Sequence, residues 1–341
     1  MPLSLRRIIR SYIGECNPII KKTSIAFLPS NIALCKYWGK RDEKLNLPFN
    51  NSLSLSLGLF GTTTHIKVID SDTDCIILNG QQISPNSSFF QRINHFCDLF
   101  RQFEKVHFLI ETSNNIPTKA GLASSASGFA ALTLALFRIY SIPEKNESLS
   151  RVARIGSGSA CRSFYRGFSE WICGTDKNGM DSFAIPLKNQ WPDLRIGLLK
   201  TINKEKKIGS REAMKITRNN CPFFTQWIKQ NPIDLVNIKQ AIIDKDFVKF
   251  GEFSEQNSLK MHATMIASSP SILYWQEETI QGMNRVWDAR KQSIPMYFTI
   301  DAGPNLKLIF NHKTEKTIKK LFPEITVINP LDSPDLWGGK K

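Results

Sequence analysis

The sequence lacks most of the short signatures that decide a function at sight. Its seven cysteines, at positions 16, 35, 75, 97, 161, 173 and 221, form no CxxC pair. Its five histidines form no HxxxH or HxH cluster, so no structural zinc site is expected. An odd count of cysteines without paired spacing reads as reduced thiols in a cytoplasmic protein. No apolar run approaches the ~20 residues needed to cross a bilayer, so no membrane association is expected. Neither a Walker A loop nor a GxGxxG occurs. There is no internal repeat and no low-complexity tract.

What is present is a globular composition with a strong basic bias. Hydrophobic residues make up 41% of the 341, with 22 phenylalanines, enough for one large core or two fused lobes. Lys and Arg number 45 against 30 Asp and Glu, a formal charge of +15. That surplus suits an anionic partner such as a nucleic acid, a membrane surface or a phosphorylated metabolite; it also fits a basic solvated surface with no specific partner. Within residues 1–22, Arg6, Arg7, Arg10, Lys21 and Lys22 interleave with Leu3, Leu5, Ile8, Ile9, Tyr12 and Ile13. The segment has no continuous apolar stretch and no small-residue cleavage site, which disfavours a secretory signal. A short amphipathic helix or a targeting segment fits it, but a flexible or loosely docked extension is the expectation.

Thr23–Ile32 reads as a strand entering a Pro-Ser-Asn turn. The alternation of Asn51–Leu57 predicts a second strand, Gly58–Gly61 a turn, and Thr62–Ile69 a third strand. A helix is predicted over Ser88–Gln102, a strand over Val106–Thr112, a loop running into a helix over Gly121–Tyr140, and a short helix over Leu149–Arg154. From Asp193 the pattern restarts: a strand over Leu194–Leu199, a charged stretch at Lys204–Arg211, and helices over Pro222–Ile228, Ile233–Ile243, Asp246–Ser258 and Pro270–Ala289. Strands at Tyr297–Ile300 and Leu306–Phe310 flank an Asp-Ala-Gly-Pro-Asn turn. A helix over Lys313–Leu321 and a strand over Thr326–Ile328 follow. Strands and helices mix without a regular βαβ repeat, so the class is α+β. A lobe boundary is placed near Pro186–Pro192, dividing the chain into 1–22, 23–190 and 191–341.

Residues 114–128 carry the strongest chemical suggestion: Asn-Asn-Ile-Pro-Thr-Lys-Ala-Gly-Leu-Ala-Ser-Ser-Ala-Ser-Gly. Small residues let the backbone approach an anion, and the helix that follows offers free N–H groups and a positive dipole end. Ser124 and Ser125 can donate hydroxyl hydrogen bonds or ligate Mg²⁺. A helix start this rich in small residues also fits plain tight packing. The order Pro117, Gly121-Leu122-Ala123-Ser124-Ser125-Ala126 resembles the ATP loop of the GHMP kinase superfamily.

Three further segments narrow the resemblance. Residues 31–42 read Asn-Ile-Ala-Leu-Cys-Lys-Tyr-Trp-Gly-Lys-Arg-Asp, residues 156–163 Gly-Ser-Gly-Ser-Ala-Cys-Arg-Ser, and residues 298–305 Phe-Thr-Ile-Asp-Ala-Gly-Pro-Asn. Each is similar to a segment of the diphosphomevalonate decarboxylases, in the same order and at similar separations. Asn257 and Met261–Thr264 are similar too, and the resemblance runs from about Thr23 to about Asn329. It implies a two-lobed α+β GHMP fold, with an N-terminal lobe like the second domain of ribosomal protein S5, a C-terminal α/β sandwich lobe and the active site in the cleft between them. It also implies ATP and Mg²⁺ as cofactors, a mevalonate diphosphate substrate, no nucleic acid partner and a homodimer.

The implied reaction phosphorylates a tertiary hydroxyl and then expels phosphate and CO₂ to leave an alkene. The resemblance places Asp301 beside that hydroxyl, Lys36 near Asp301 and the moving phosphoryl group, and Arg162 with Ser159 on the substrate carboxylate. Tyr37 and Lys40 would contact the diphosphate or the mevalonyl chain, with Ser210 and Arg211 as further diphosphate contacts. Gly121, Leu122, Ala123, Ser124 and Ser125 would hold ATP, with Ser125 on the metal. Read from the residues alone, Asp301 also fits an Asx turn bonded to its own loop, and Lys40, Arg162 and Arg211 also fit surface charges. Cys161 invites a role as nucleophile, but no His is near and the reaction needs no thiol, so small-residue packing is expected. The chain departs from the pattern at Lys119, Leu28 and Asn51, none of which removes a catalytic group. Three rivals stay open: a kinase of the same superfamily or a decarboxylase acting on the monophosphate, a nucleic-acid-binding protein, and a catalytically silent relative.

Overall fold

The computed structural model describes residues 5–14, 20–116, 125–199 and 208–332. The chain opens with α1 (Leu5–Ile13), whose spacing buries Ile8, Ile9, Tyr12 and Ile13 and leaves Arg6, Arg7 and Arg10 exposed. The expectation of a loosely docked extension is corrected here. These four side chains join the main N-terminal core, and the Tyr12 hydroxyl accepts a 2.6 Å bond from Nη2 of the wholly buried Arg154.

β1 (Thr23–Cys35) and β4 (Ser52–Ile69) pair antiparallel from Thr23↔Lys67 to Cys35↔Leu53 and form the spine of the first lobe. Between them β2 (Lys40–Asp42) and β3 (Leu47–Pro48) make a small hairpin. Two expected turns are absent. β1 runs through Pro29-Ser30-Asn31, and β4 through Gly58–Gly61. The register jumps from Pro29↔Gly61 to Asn31↔Ser56, so the extra residues of β4 are absorbed as a bulge. Gly58 supplies the positive φ, 58°, that the bulge needs. A Cβ on Gly61 would overlap the Leu28 carbonyl.

β5 (Cys75–Leu78), β6 (Gln81–Gln82), α2 (Ser88–Cys97) and β7 (His107–Asn114) follow. α2 starts where Ser87 accepts from the Phe90 N–H. α3 (Ser125–Ile139) lies under β1 and β4, buried on nearly every side by its alanines, leucines and phenylalanines. Next come α4 (Asn146–Gly156), a 3-10 turn over Gly158–Arg162, β8 (Phe168–Trp171) and β9 (Ala184–Pro186). The sheet order is β6-β5-β7-β4-β8-β9, with β1 on the other side of β4.

The second lobe is built on β10 (Leu194–Leu198), followed by α5 (Ser210–Asn220), α6 (Phe224–Asp244), α7 (Phe247–Ile266) and α8 (Glu277–Lys291). β11 (Met296–Ile300), β12 (Leu306–Asn311), α9 (Glu315–Leu321) and β13 (Thr326–Ile328) complete it. Its sheet, in the order β11-β12-β10-β13, is antiparallel throughout. α5 was not foreseen, and α6 runs unbroken through Pro232 where two helices were expected. Proline removes the N–H that the Ile228 carbonyl would accept; Asn50 Nδ2 fills that place at 3.1 Å. One core cluster joins Ile32, Leu34, Leu53 and Leu55 of the first lobe to Leu235, Ile238, Phe250 and Tyr297 of the second. That shared core fixes the ends of β1 and β11 side by side.

Candidate active site

Lys36 is the first residue past β1, and Asp301 the first past β11. The Lys36 backbone is held from the second lobe: its N–H donates to Asn257 Oδ1 at 2.8 Å, and its carbonyl accepts from Asn231 Nδ2 at 3.1 Å. Asn257 donates in turn to the buried Asp234 at 2.9 Å, which also accepts from Lys260 at 2.8 Å. The Lys36 ammonium donates to the Ala33 carbonyl at 2.7 Å and to Asp301 Oδ1 at 2.8 Å. Lys307 Nζ stands 3.4 Å from the other carboxylate oxygen. His262 Nε2 lies 3.1 Å from the Asp301 carbonyl.

Burial sets these charges. It pulls the Lys36 ammonium down to about 8, although Asp301 draws it back up. Burial alone would raise the Asp301 carboxyl, but Lys36 and Lys307 outweigh it and hold the group well below the usual carboxylate range. Burial lowers His262 to about 3, so its imidazole is neutral at working pH and donates to the Asp301 carbonyl. The Asp301 side chain is 35% exposed and opens onto a cleft between the lobes.

That cleft, about 300 Å³, is lined by Lys36, Tyr37, Lys40, Ser125, Ser159, Arg162, Ser210, Arg211 and Asp301, so it gathers every expected site residue that is described. Gly121, Leu122, Ala123 and Ser124 lie outside the described residues, as does Lys119. Arg162 sits on the 3-10 turn, 2% exposed. Its Nη1 donates to Ser52 Oγ and its Nε to Asn31 Oδ1 at 3.4 Å. Among the described residues no carboxylate lies within ion-pair distance of it. Burial lowers the Arg162 pKa. Tyr37 packs on Trp171 at 4.7 Å between ring centroids, under Gly158, where a Cβ would come within 2.7 Å of the ring. Its hydroxyl is buried without a partner among the described residues. Cys161 is buried, and its thiol is pushed up to about 12 by that burial, which removes it as a nucleophile.

At the other end of the cleft Lys40, 3% exposed, meets Glu43 at 3.1 Å. Arg211, in the first turn of α5, donates to the Gly156 carbonyl at 2.7 Å, and Arg92 of α2 donates to the same carbonyl at 2.7 Å. Burial, with Arg211 adding to it, lowers Arg92 to about 10. Two arginines converge here on the C-terminus of α4, a concentration of charge suited to a polyanion. A second hollow, about 220 Å³, adjoins the cleft and shares Arg92 and Ser125 with it. Ile76, Leu78, Phe89, Ile93, Ile110 and Phe129 make it mainly apolar.

Sequence reasoning missed Arg92 and Lys307. Arg92 lies in an amphipathic helix where an arginine reads as surface. Lys307 left no usable signal: one lysine in Leu306–Phe310 reads as the solvent-facing position of a strand, yet every residue there is buried.

Comparison with known proteins gives this geometry its context. Residues 28–184 match the family model described as the diphosphomevalonate decarboxylase-like N-terminal domain, and residues 198–332 that of the mevalonate 5-diphosphate decarboxylase C-terminal domain. The diphosphomevalonate decarboxylase of Candida albicans is 36% identical, covering 86% of this chain and 85% of the relative. The human one is 36% identical over 81% of this chain and 74% of its own length. Among solved structures, the mevalonate diphosphate decarboxylase of Staphylococcus aureus superposes with a TM-score of 0.86 at 38% identity, covering 92% of this chain and 96% of its own. A structure holding MVAPP, AMPPCP and magnesium superposes with a TM-score of 0.84 at 37% identity, over 89% of this chain and 95% of its own. The chain belongs to the diphosphomevalonate decarboxylase family.

Proposed function

We propose that the chain converts mevalonate 5-diphosphate and ATP to isopentenyl diphosphate, CO₂, ADP and phosphate, as a step of isoprenoid biosynthesis. The observation that carries this reading is the cleft itself. A carboxylate between two lysines faces an arginine that has no counter-ion among the described residues, and both adjoin a basic arm.

The roles follow from the chemistry of each group. Asp301, kept ionised, orients the tertiary hydroxyl. A carboxylate held so low is a weak base, so it takes the hydroxyl proton late, once the forming O–P bond has acidified that oxygen. Arg162 holds the substrate carboxylate by a planar two-point pairing, with Ser159 adding a hydrogen bond. Lys36 fixes the position and charge of Asp301. Tyr37, Lys40, Ser210 and Arg211 hold the diphosphate end, where Arg92 adds charge. The apolar hollow suits the nucleoside, and Ser125 at its junction with the cleft suits the ATP phosphates, with the expected loop Gly121–Ser124.

No group of three His, Cys, Asp or Glu that could cage a cation occurs among the described residues. This fits a Mg²⁺ carried on nucleotide phosphates, with Ser125 as its protein oxygen. The ion would neutralise phosphate charge during transfer.

The reading extends to a cytoplasmic enzyme with lobes at 23–190 and 191–341 and no nucleic acid partner. Among the described residues no helix is long and apolar enough to cross a membrane. The outward row Ile233, Val236 and Ile243 on α6, 54%, 65% and 50% exposed, supports assembly as a homodimer.

The test is incubation with ATP, Mg²⁺ and, in turn, mevalonate, its 5-phosphate and its 5-diphosphate. Equal ADP and CO₂ with the diphosphate alone is expected. ADP without CO₂ would make this a kinase, and no ADP with any of the three would end the enzymatic reading.

A further inference from the structure

We propose that Lys307 is a catalytic residue of this reaction, the cation that holds the phosphoryl group as it is transferred and as it leaves as phosphate. The inference rests on the proposed decarboxylation and adds a residue to it.

Lys307 is the second residue of β12, opposite Thr299 of β11 and Leu198 of β10, and is 2% exposed. Burying an ammonium is costly unless it is paired. The pairing found is incomplete. Among the described residues its nearest ion-pair partner is Asp301 Oδ2 at 3.4 Å, long for a charge-assisted bond, which runs to about 2.7–2.9 Å. Lys36 differs: two of its three N–H groups are committed within the protein, at 2.7 and 2.8 Å. Of the two lysines on Asp301, Lys307 has the donors to spare, and it lines the cleft.

The chemistry calls for such a cation. In the first step the hydroxyl oxygen bonds to the γ-phosphorus, the bond from phosphorus to the ADP oxygen breaks, and the hydroxyl proton passes to Asp301. In the second step the bond to the carboxylate carbon breaks and its electron pair becomes the alkene. The C–O bond opens, and its oxygen keeps the pair and departs on phosphate. The first step puts negative charge on phosphoryl oxygens next to Asp301, and once Asp301 has given its proton to solvent the second step does so beside a carboxylate again. Lys36 is already committed to that carboxylate, so Lys307 is the lysine left to offset the second negative group, alongside the Mg²⁺ carried on the nucleotide.

Lys307→Met removes the charge and keeps the length. Single-turnover formation of ADP and of CO₂ should both fall about 100-fold or more. Dissociation constants for ATP and mevalonate diphosphate should stay within about threefold of wild type. Lys307→Arg should recover part of the rate. Turnover of Lys307→Met within about threefold of wild type would overturn the proposal. A measurement on the unaltered enzyme makes the result independent of how the variant folds. In a crystal structure with ADP, Mg²⁺, aluminium fluoride and mevalonate diphosphate, a fluoride should lie within hydrogen-bond distance of Lys307 Nζ. A fluoride held by Lys36 and not by Lys307 would contradict it. A wild type that forms no ADP with mevalonate diphosphate would defeat the decarboxylation reading; an active wild type matched by Lys307→Met would defeat the inference alone.

Discussion

The Lys36 charge is the one that a pH profile can test. Burial brings its ammonium to about 8, and Lys307 is among the charges that lower it. Because kcat/KM reports ionisations of the free enzyme, it should fall as pH rises through about 8, where Lys36 loses the proton that grips Asp301. Lys307→Met takes away a neighbouring positive charge and should move that limb to higher pH. A profile still flat at about pH 10 would remove Lys36 from this role. Lys36, Arg162 and Asp301 were legible because each lies in a segment whose residue order is specific. Lys307 was not, because one charge in a predicted strand reads as its solvent-facing alternate. β12 is in fact covered on both faces, which a period-2 pattern does not report.

At the scale of elements, the errors have local physical causes. Pro232 reads as a helix break, yet Asn50, from a distant strand connection, takes the freed Ile228 carbonyl and α6 continues. Gly58–Gly61 reads as a turn, yet the glycines serve a bulge and a close approach to the Leu28 backbone. α1 reads as a loose basic tail because its partner, Arg154, is far away in sequence. That guanidinium is held by the Leu45 carbonyl at 3.0 Å, the Gly179 carbonyl at 3.1 Å, the Ser182 carbonyl and Tyr12. Tyr12→Phe leaves one N–H of a wholly buried arginine without an acceptor and should cost about 1–3 kcal/mol, read as a lower urea midpoint at unchanged m-value. An unchanged midpoint would return α1 to the status of a loose extension.

For the whole molecule, the resemblance made two lobes and a cleft legible from the sequence. The core that joins the lobes was not, since it pairs Leu34 with residues such as Phe250 that no local pattern connects. The cleft collects Lys36, Lys40, Arg92, Arg162, Arg211 and Lys307 against Asp301. A field of one sign over a shared site should make binding of both phosphorylated substrates sensitive to salt. KM for ATP and for mevalonate diphosphate should rise several-fold between about 50 mM and about 500 mM salt, with kcat nearly constant. Salt-independent KM values would place the anionic groups elsewhere.

The cleft has one carboxylate at its chemical centre, and replacing it tests the assignment most directly. Asp301→Asn keeps the shape and removes the charge. ATP and mevalonate diphosphate should bind with dissociation constants within a few-fold of wild type, while ADP and CO₂ formation drop by about 10³ or more. Turnover close to wild type in a folded Asp301→Asn protein would contradict the placement of the reaction in this cleft.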